Sequence, residues 1–229
     1  MIDRTIVVGP FQCNCRLIAC DRTGEAALID PGDQPERILK GLKEARTPSG
    51  TPLKVKFLLH THAHLDHIGA TRDVRESLAA AFGGAGPEIG LHRADEPLYK
   101  MLREQGKLFG FTHYGDPLPI DRYLEHEEEL RIGDLKLTLI HTPGHSPGSV
   151  SLRLHEDSAA GSRETVFSGD TLFERSIGRT DLWGGDYDQL LGSIRNRLFC
   201  LDDDTRVCPG HGPETRIGLE KRGNPFLAG

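Results

Sequence analysis

The sequence lacks three features, each of which would place it in a different class of protein. It has no apolar stretch long enough to span a membrane. Residues 1–5 lead directly into the strand-like residues 6–8 without the anatomy of a signal peptide, so we expect a cytoplasmic protein. Basic residues are not in excess, because 28 Lys and Arg stand against 34 Asp and Glu. Since binding to phosphates needs clustered basic residues, nucleic acid is disfavoured as a substrate.

A disulfide framework is also missing. The cysteines number five, which is odd, and none of them forms a CxxC pair. One interpretation makes Cys13 and Cys15 a redox or metal pair. The alternation over residues 13–18 is more typical of small buried residues on a strand, so we expect these two cysteines to fill a core.

What the sequence does contain is enough length for a full hydrophobic core. No linker or change of composition divides the 229 residues, so we predict a single domain over residues 1–229. Strand-like segments are grouped in each half of the chain, with helix-like segments between them. This pattern favours an α/β fold in which two packed sheets are covered by helices.

Hydrophobic periodicity predicts the individual elements. Apolar runs with turn residues at their ends predict strands at residues 5–8, 13–19, 26–29, 55–59, 88–91, 150–154, 165–167 and 206–208, with a hairpin over residues 130–141. Helical spacing of apolar residues predicts helices at residues 34–45, 68–82, 93–105, 187–199 and 214–222.

The largest cluster of potential metal ligands lies on one predicted strand-to-helix loop. There His62, His64, Asp66 and His67 fall within six positions. A histidine cluster without metal is the alternative, but imidazoles so close together gain little from packing and repel one another when protonated. Residues i and i+2 of an extended chain point the same way, so His62 and His64 can bind one ion. Asp66 and His67 can then reach a second point close by. Zinc, iron and manganese all accept imidazole and carboxylate ligands.

Three further loops each present one residue of a metal-binding type at the end of a short strand. These residues are His145, Asp170 and His211, and each has a glycine beside it that permits a tight turn. Each loop alone is weak evidence, because Gly-Asp at a strand end is usually only a turn. Together with the first loop they supply five histidines and two aspartates, enough for two metal ions that share one carboxylate.

Residues 106–122 follow no period and carry aromatic residues among Gly and Pro. A plain connector has this composition, and so does a loop that covers a substrate. If the loop covers the substrate, Phe109, Phe111 and Tyr114 are the predicted contacts.

The four metal-binding motifs resemble those of the metallo-β-lactamase superfamily, specifically its glyoxalase II-like hydrolases. The matching segments are residues 62–69, 142–145, 169–173 and 209–212, which occur in the family's order. The resemblance implies an αββα four-layer sandwich, with two mixed sheets flanked by helices and a metal site at one edge. It also implies that one metal is bound by His62, His64 and His145, the other by Asp66, His67 and His211, and both by Asp170.

Departures from the family's pattern narrow the expected activity. Asp170 stands where several true β-lactamases place a cysteine, which disfavours an antibiotic hydrolase. Larger glyoxalase II enzymes have a C-terminal helical domain that contacts glutathione, and we expect it to be absent because the chain ends about eighteen residues after His211. Residues 176–182 are similar to the short, single-domain branch. Within them Arg179, which occupies the place of a family lysine, is the predicted contact to a substrate carboxylate.

The resemblance implies a binuclear hydrolase of small thioesters, above all glutathione thioesters such as S-lactoylglutathione. Asp66 and Asp170 are the expected catalytic carboxylates, and two divalent ions would supply a shared hydroxide. Zinc is the first expectation for these ions, with iron and manganese as alternatives. Residues 178–181 are also similar to persulfide dioxygenases, which makes a mononuclear iron enzyme one alternative. A lactone or ester hydrolase is a second. A metal-stabilised binding protein is the least favoured, since structural zinc sites are closed.

Overall fold

The fold is built on two six-stranded mixed sheets, seen in a computed structural model that describes residues 1–82, 84, 86–158 and 161–227. The spatial order of the first sheet follows the chain: β1 Ile2–Val8, β2 Cys13–Ala19, β3 Glu25–Ile29, β4 Lys54–Leu59, β5 Glu88–Leu91 and β6 Arg122–Tyr123. Strands β1 to β3 pair antiparallel, and β3 to β6 pair parallel.

The second half of the chain forms the other sheet. Its strands are β7 Glu129–Ile132, β8 Leu135–His141, β9 Val150–Ser158, β10 Gly161–Gly169, β13 Arg206–Pro209 and β14 Thr215–Arg216, while β11 Leu172–Phe173 and β12 Ser176–Ile177 form a separate ribbon. The spatial order is β14-β13-β10-β9-β8-β7, and within the described part of this sheet only β10 and β13 pair parallel.

Helices cover the outer face of each sheet. They are α1 Pro35–Glu44, α2 Leu65–Ile68, α3 Thr71–Phe82, α4 Glu96–Lys100, α5 Leu102–Leu108, α6 Tyr187–Ser193 and α7 Ile217–Gly223, with a 3₁₀ turn at Arg93–Asp95 and a π-helical turn at Ile194–Leu198. Ile38 and Val74 pack against the first sheet, whereas Leu190 and Ile217 pack against the second. Between the sheets lies a cluster that includes Phe167. The four-layer αββα sandwich is therefore confirmed.

Strand β2 explains the N-terminal cysteines. All seven of its residues are buried, because helices cover one face of the strand and the second sheet covers the other. Cys13, Cys15 and Leu17 belong to the cluster beneath the helices, and Ile18 belongs to the cluster between the sheets. Cys13 and Cys15 thus fill the core, as the alternation of the sequence predicts.

The helix predicted at residues 68–82 begins earlier and is interrupted. Asp66 and His67 lie on the single turn of α2, and a second helix, α3, begins at Thr71. The break occurs because the Ala70 amide donates to the carbonyl of Pro31 (3.0 Å) instead of continuing the first helix. The metal-ligand segment is therefore fixed against the strand-end loop that follows β3.

Three other predicted helices also change. The helix predicted at residues 93–105 is divided into the 3₁₀ turn, α4 and α5. The one at residues 187–199 ends in a π-helical turn, and the one at residues 214–222 begins only at Ile217, after β14. None of the helices in the described parts of the chain is both long and apolar enough to cross a membrane.

Gly32 sets how closely the loop after β3 approaches the ligand segment. A Cβ atom on Gly32 would lie 1.5 Å from the carbonyl oxygen of Asp66, so Gly32→Ala must displace α2. We expect the free energy of unfolding to fall by about 1–3 kcal/mol, as for other overpacked sites. Urea denaturation measures it, with Gly115→Ala as control because a Cβ there meets no atom within 4 Å. Equal stability of the two variants would contradict this close approach.

Candidate metal centre

The loops that carry the candidate ligands meet at one edge of the two sheets. The first loop follows β4, and the others follow β8, β10 and β13. A backbone hydrogen bond from the Val150 amide to the Thr61 carbonyl (2.7 Å) joins loops of the two sheets, and one from the Gly210 amide to the Gly169 carbonyl (2.9 Å) joins neighbouring loops of the second sheet. Segments far apart in sequence thus form one rigid rim.

Three imidazoles form the first ligand group. His64 Nδ1 lies 2.9 Å from His145 Nε2, and His145 Nε2 lies 3.1 Å from His62 Nε2. All three side chains are buried, and their nitrogen atoms lie within 4.8 Å of one another. Converging imidazole nitrogens of this kind suit a tetrahedral metal site that keeps one position open.

A second group combines a carboxylate with two imidazoles. His67 Nε2 lies 3.1 Å from His211 Nε2, and Asp66 Oδ2 lies 3.2 Å from the same His211 nitrogen. The two ends of this group come from different sheets, because His67 is on α2 and His211 follows β13. The carboxylate of Asp66 gives the second group a negative charge that the first group lacks.

Asp170 lies between the two groups. Its Oδ1 is 3.5 Å from His67 Nε2, and its Oδ2 is 3.7 Å from His145 Nε2 and 3.6 Å from His211 Nε2. The Oδ1 atom is buried and has no hydrogen-bond partner among the described residues. Since such an atom is costly unless it is paired, a carboxylate at this point fits a cation on either side of it.

Burial and neighbouring charges shift the pKa values of the histidines in different directions in the two groups. Burial, followed by the nearby His145, lowers the pKa of His64 to about 3, and burial with four neighbouring imidazoles lowers the pKa of His62 as well. Burial also opposes the charged form of His211, but hydrogen bonding to Asp66 and the charge of Asp170 raise its pKa. His62 and His64 are therefore held in the neutral form that binds a metal, whereas a cation at His211 competes more strongly with a proton.

Backbone carbonyls and one carboxylate orient the ligand rings. His145 Nδ1 donates to the carbonyl of Arg179 (2.8 Å), and His211 Nδ1 donates to that of Phe11 (2.9 Å). The Nδ1 of His67 lies 3.0 Å from the carboxylate of Asp30. Partners of this kind fix the tautomer and leave Nε2 to face the metal.

Asp30 and Asn14 hold the loops of the candidate ligands, and neither was predicted from the sequence. Asp30 also accepts hydrogen bonds from the amide (2.8 Å) and hydroxyl (2.7 Å) of Thr61, and it adopts a left-handed backbone with φ of 53°. Asn14 Nδ2 donates to the carbonyls of Pro209 and Gly212, on either side of His211 (both 3.0 Å). The sequence signals were an Asp before Pro-Gly and a polar residue within a buried strand.

A cleft of about 280 Å³ opens above the ligands. Phe109, from the irregular loop, lines this cleft together with Leu65 and Leu182. Phe11, at the tip of the turn between β1 and β2, also lines it and makes an edge contact with Phe109 at 5.5 Å between ring centroids. Neither Phe11 nor Leu182 was among the predicted contacts, because both come from turns distant in sequence.

The other predicted substrate contacts lie in different surroundings. Tyr114 is only 7% exposed, and its hydroxyl donates to Asp33 (3.4 Å). It therefore anchors the irregular loop to the protein and does not face the cleft. Phe111 packs behind Phe11, at 6.1 Å between ring centroids. Arg179 lines the cleft, but its guanidinium donates to both carboxylate oxygens of Asp181 (2.7 and 2.8 Å).

Substitution of Asp170 tests its position between the two groups. We expect Asp170→Ala to weaken metal binding at both groups, because its carboxylate faces both, whereas His211→Ala should mainly empty the second. Elemental analysis after dialysis measures the metal content. In Asp170→Ala, activity should fall further than the roughly 10- to 100-fold loss that is typical when only an outer partner is removed. Two ions per chain and wild-type turnover in Asp170→Ala would exclude it as the shared ligand.

The family model described as the metallo-beta-lactamase superfamily matches residues 8–211. Among the curated relatives is hydroxyacylglutathione hydrolase GloC of Haemophilus influenzae, which is 40% identical over 97% of this chain and 96% of that protein. The probable metallo-hydrolase YqgX of Bacillus subtilis is 37% identical over 99% of this chain and 97% of its own.

Solved structures of similar proteins have the same fold as this chain. BLEG-1, a B3 metallo-beta-lactamase, superposes with a TM-score of 0.83 at 38% identity and covers all of both chains. TTHA1623 in a di-iron-bound form has a TM-score of 0.76 at 39% identity, over 98% of this chain and 100% of its own. ETHE1 from Myxococcus xanthus has a TM-score of 0.74 at 30% identity, over 98% of this chain and 84% of its own. The chain belongs to the metallo-β-lactamase superfamily.

Proposed function

We propose that the protein is a binuclear metal-dependent thioester hydrolase, with glutathione thioesters such as S-lactoylglutathione as its substrates. The observation that carries this proposal is the meeting of two ligand groups at Asp170 beneath an open cleft. The superfamily is one of metal-dependent hydrolases, and a relative at 40% identity is named hydroxyacylglutathione hydrolase. We also propose that residues 1–229 act as one domain, since loops from both halves of the chain build the same centre.

The residues of the two groups have distinct roles in this proposal. His62, His64 and His145 would hold one ion, while Asp66, His67 and His211 would hold the other. Bound divalent ions lower the pKa of water and polarise a carbonyl group. Asp170 and Asp66 are the carboxylates that face the cleft, so they would orient the attacking water and receive its proton, which passes to the departing sulfur as the C–S bond of the thioester breaks. Phe11, Phe109, Leu65 and Leu182 would give the reacting carbonyl an apolar surrounding on the walls of the open cleft.

Persulfide dioxygenation is the second candidate function. It is favoured by the segment at residues 178–181 and by the structural similarity to ETHE1. β-Lactam hydrolysis also needs a direct test, because BLEG-1, which is 38% identical, is named a B3 metallo-beta-lactamase. We propose zinc as the first candidate metal, and the di-iron form of TTHA1623 makes iron the second.

Metal content and a substrate panel test the proposed function together. Freshly purified protein should contain about two divalent ions per chain, as two-metal sites do, and should lose activity when they are chelated. The panel should include S-lactoylglutathione, a neutral thioester, a lactone, a β-lactam and glutathione persulfide with measurement of oxygen uptake. One iron per chain with oxygen consumption would replace the hydrolase proposal with a dioxygenase.

Substitutions of Arg179 and Asp181 should change the KM of an anionic substrate in opposite directions. Arg179 is the one lysine or arginine among the described residues that line the cleft, and Asp181 already neutralises it. We expect Arg179→Ala to raise KM for a glutathione thioester up to about 5-fold with little change in kcat, which is the scale of one exposed ion pair. Asp181→Asn should lower KM, because it frees the guanidinium.

A neutral thioester provides the control in the same two variants. Its KM should remain at the wild-type value in both, because it offers no carboxylate to Arg179. Unchanged KM for both substrates in both variants would make Arg179 a structural partner of its loop. The glutathione proposal would then have no cationic support in the cleft.

A further inference from the structure

Asp95 is a buried carboxylate that joins the two loops of the first ligand group. It ends the 3₁₀ turn after β5 and is 0% exposed. Its Oδ2 accepts hydrogen bonds from the Ala63 amide (2.9 Å) and the Ser146 hydroxyl (2.8 Å), and its Oδ1 accepts one from the Gly148 amide (2.6 Å). These donors are adjacent to the ligands, since Ala63 separates His62 from His64 and Ser146 follows His145.

The surroundings of Asp95 are built to receive this carboxylate. A Cβ on Gly148 would lie 2.6 Å from the Asp95 amide nitrogen and 2.8 Å from its Cγ, so glycine allows the close approach. Ser149 Oγ lies 2.7 Å from Ser146 Oγ and accepts from the Ser146 amide (3.1 Å), which keeps the loop in register. No lysine or arginine among the described residues forms an ion pair with Asp95. Its negative charge is therefore stabilised by hydrogen bonds from neutral donors.

We propose that Asp95 is the positioning residue that sets the separation of His62 and His64 from His145. Without it, the backbone hydrogen bond that joins these loops among the described residues is the one from the Val150 amide to the Thr61 carbonyl, which lies to one side of the ligands. Two hydrogen bonds to backbone amides and one to a hydroxyl fix both loops against the same rigid turn. The role differs from that of Asp30, which contacts a ligand ring directly.

The inference rests on the proposed metal centre but not on the thioester reaction. If the centre holds metal and the substrate is something else, the role of Asp95 is unchanged. Its test is therefore the affinity of each ligand group for zinc, measured by competition with a chromophoric chelator. This measurement is independent of turnover, so the failure of either proposal can be recognised by itself.

Asp95→Asn changes the hydrogen bonding with almost no change in size. Its amide nitrogen must face either the Gly148 amide or the Ala63 amide, and each encounter places two donors together. In a His211→Ala background, which leaves the first group intact, we expect the zinc dissociation constant to rise about 10- to 100-fold. In a His64→Ala background, zinc binds the second group, and there Asp95→Asn should leave the zinc dissociation constant unchanged.

Glu220→Gln is the matched control. Glu220 is also buried and accepts from three neutral donors, which are the Thr215 hydroxyl, the Arg175 amide and the Asn224 amide group. Both substitutions should lower the thermal unfolding temperature of the metal-free protein, but only Asp95→Asn should weaken zinc binding. Destabilisation with unchanged zinc affinity in the His211→Ala background would overturn the positioning role.

Ser146→Ala keeps the proposal testable if Asp95→Asn does not fold. It removes one of the three hydrogen bonds and leaves both backbone donors in place, so zinc affinity of the first group should fall severalfold, less than for Asp95→Asn. Unchanged affinity would contradict the proposal. If the wild-type protein binds no zinc, the metal centre itself is refuted, and the role of Asp95 with it.

Discussion

Crowding of seven polar side chains at one edge of the sandwich is the constraint on which the rest of the structure depends. Imidazole nitrogens approach to 2.9 and 3.1 Å, and a buried carboxylate oxygen lacks a partner among the described residues. Such an arrangement is unfavourable in isolation, because buried polar groups are costly until they are paired. The surrounding fold must therefore supply rigidity, and a cation would supply the pairing.

Rigidity comes from close backbone approach and from hydrogen bonds behind the ligands. A Cβ on Gly210 would lie 2.3 Å from Asp170 Oδ1, and one on Gly32 would meet the Asp66 carbonyl. Asp30 and Asp95 then fix the loops, and each accepts a hydrogen bond from a backbone amide of the first loop. Each of these devices costs conformational freedom or desolvation, which the large buried core between and around the sheets must offset.

The candidate ligands could be singled out from the sequence because each lies in a short, recognisable motif. His62, His64, Asp66 and His67 fall within six positions, and each remaining ligand sits beside glycine at a strand end. The layers also followed from the grouping of strands. Asp30 and Asn14 could not be assigned roles in this way, since Asn14 acts on a loop 195 to 198 residues away in sequence. Tyr114 illustrates a different limit, because no periodicity shows which aromatic residue of an irregular loop is buried.

The origin of the ligands in both halves of the chain has a consequence for unfolding. Each group draws on the first sheet through residues 62–67 and on the second through His145 or His211. A bound ion would therefore act as a cross-link between the sheets, and the sheets could not separate without breaking bonds to it. The metal would slow unfolding of the whole sandwich as well as serve chemistry at its rim, so the lifetime of the native state would be coupled to metal supply.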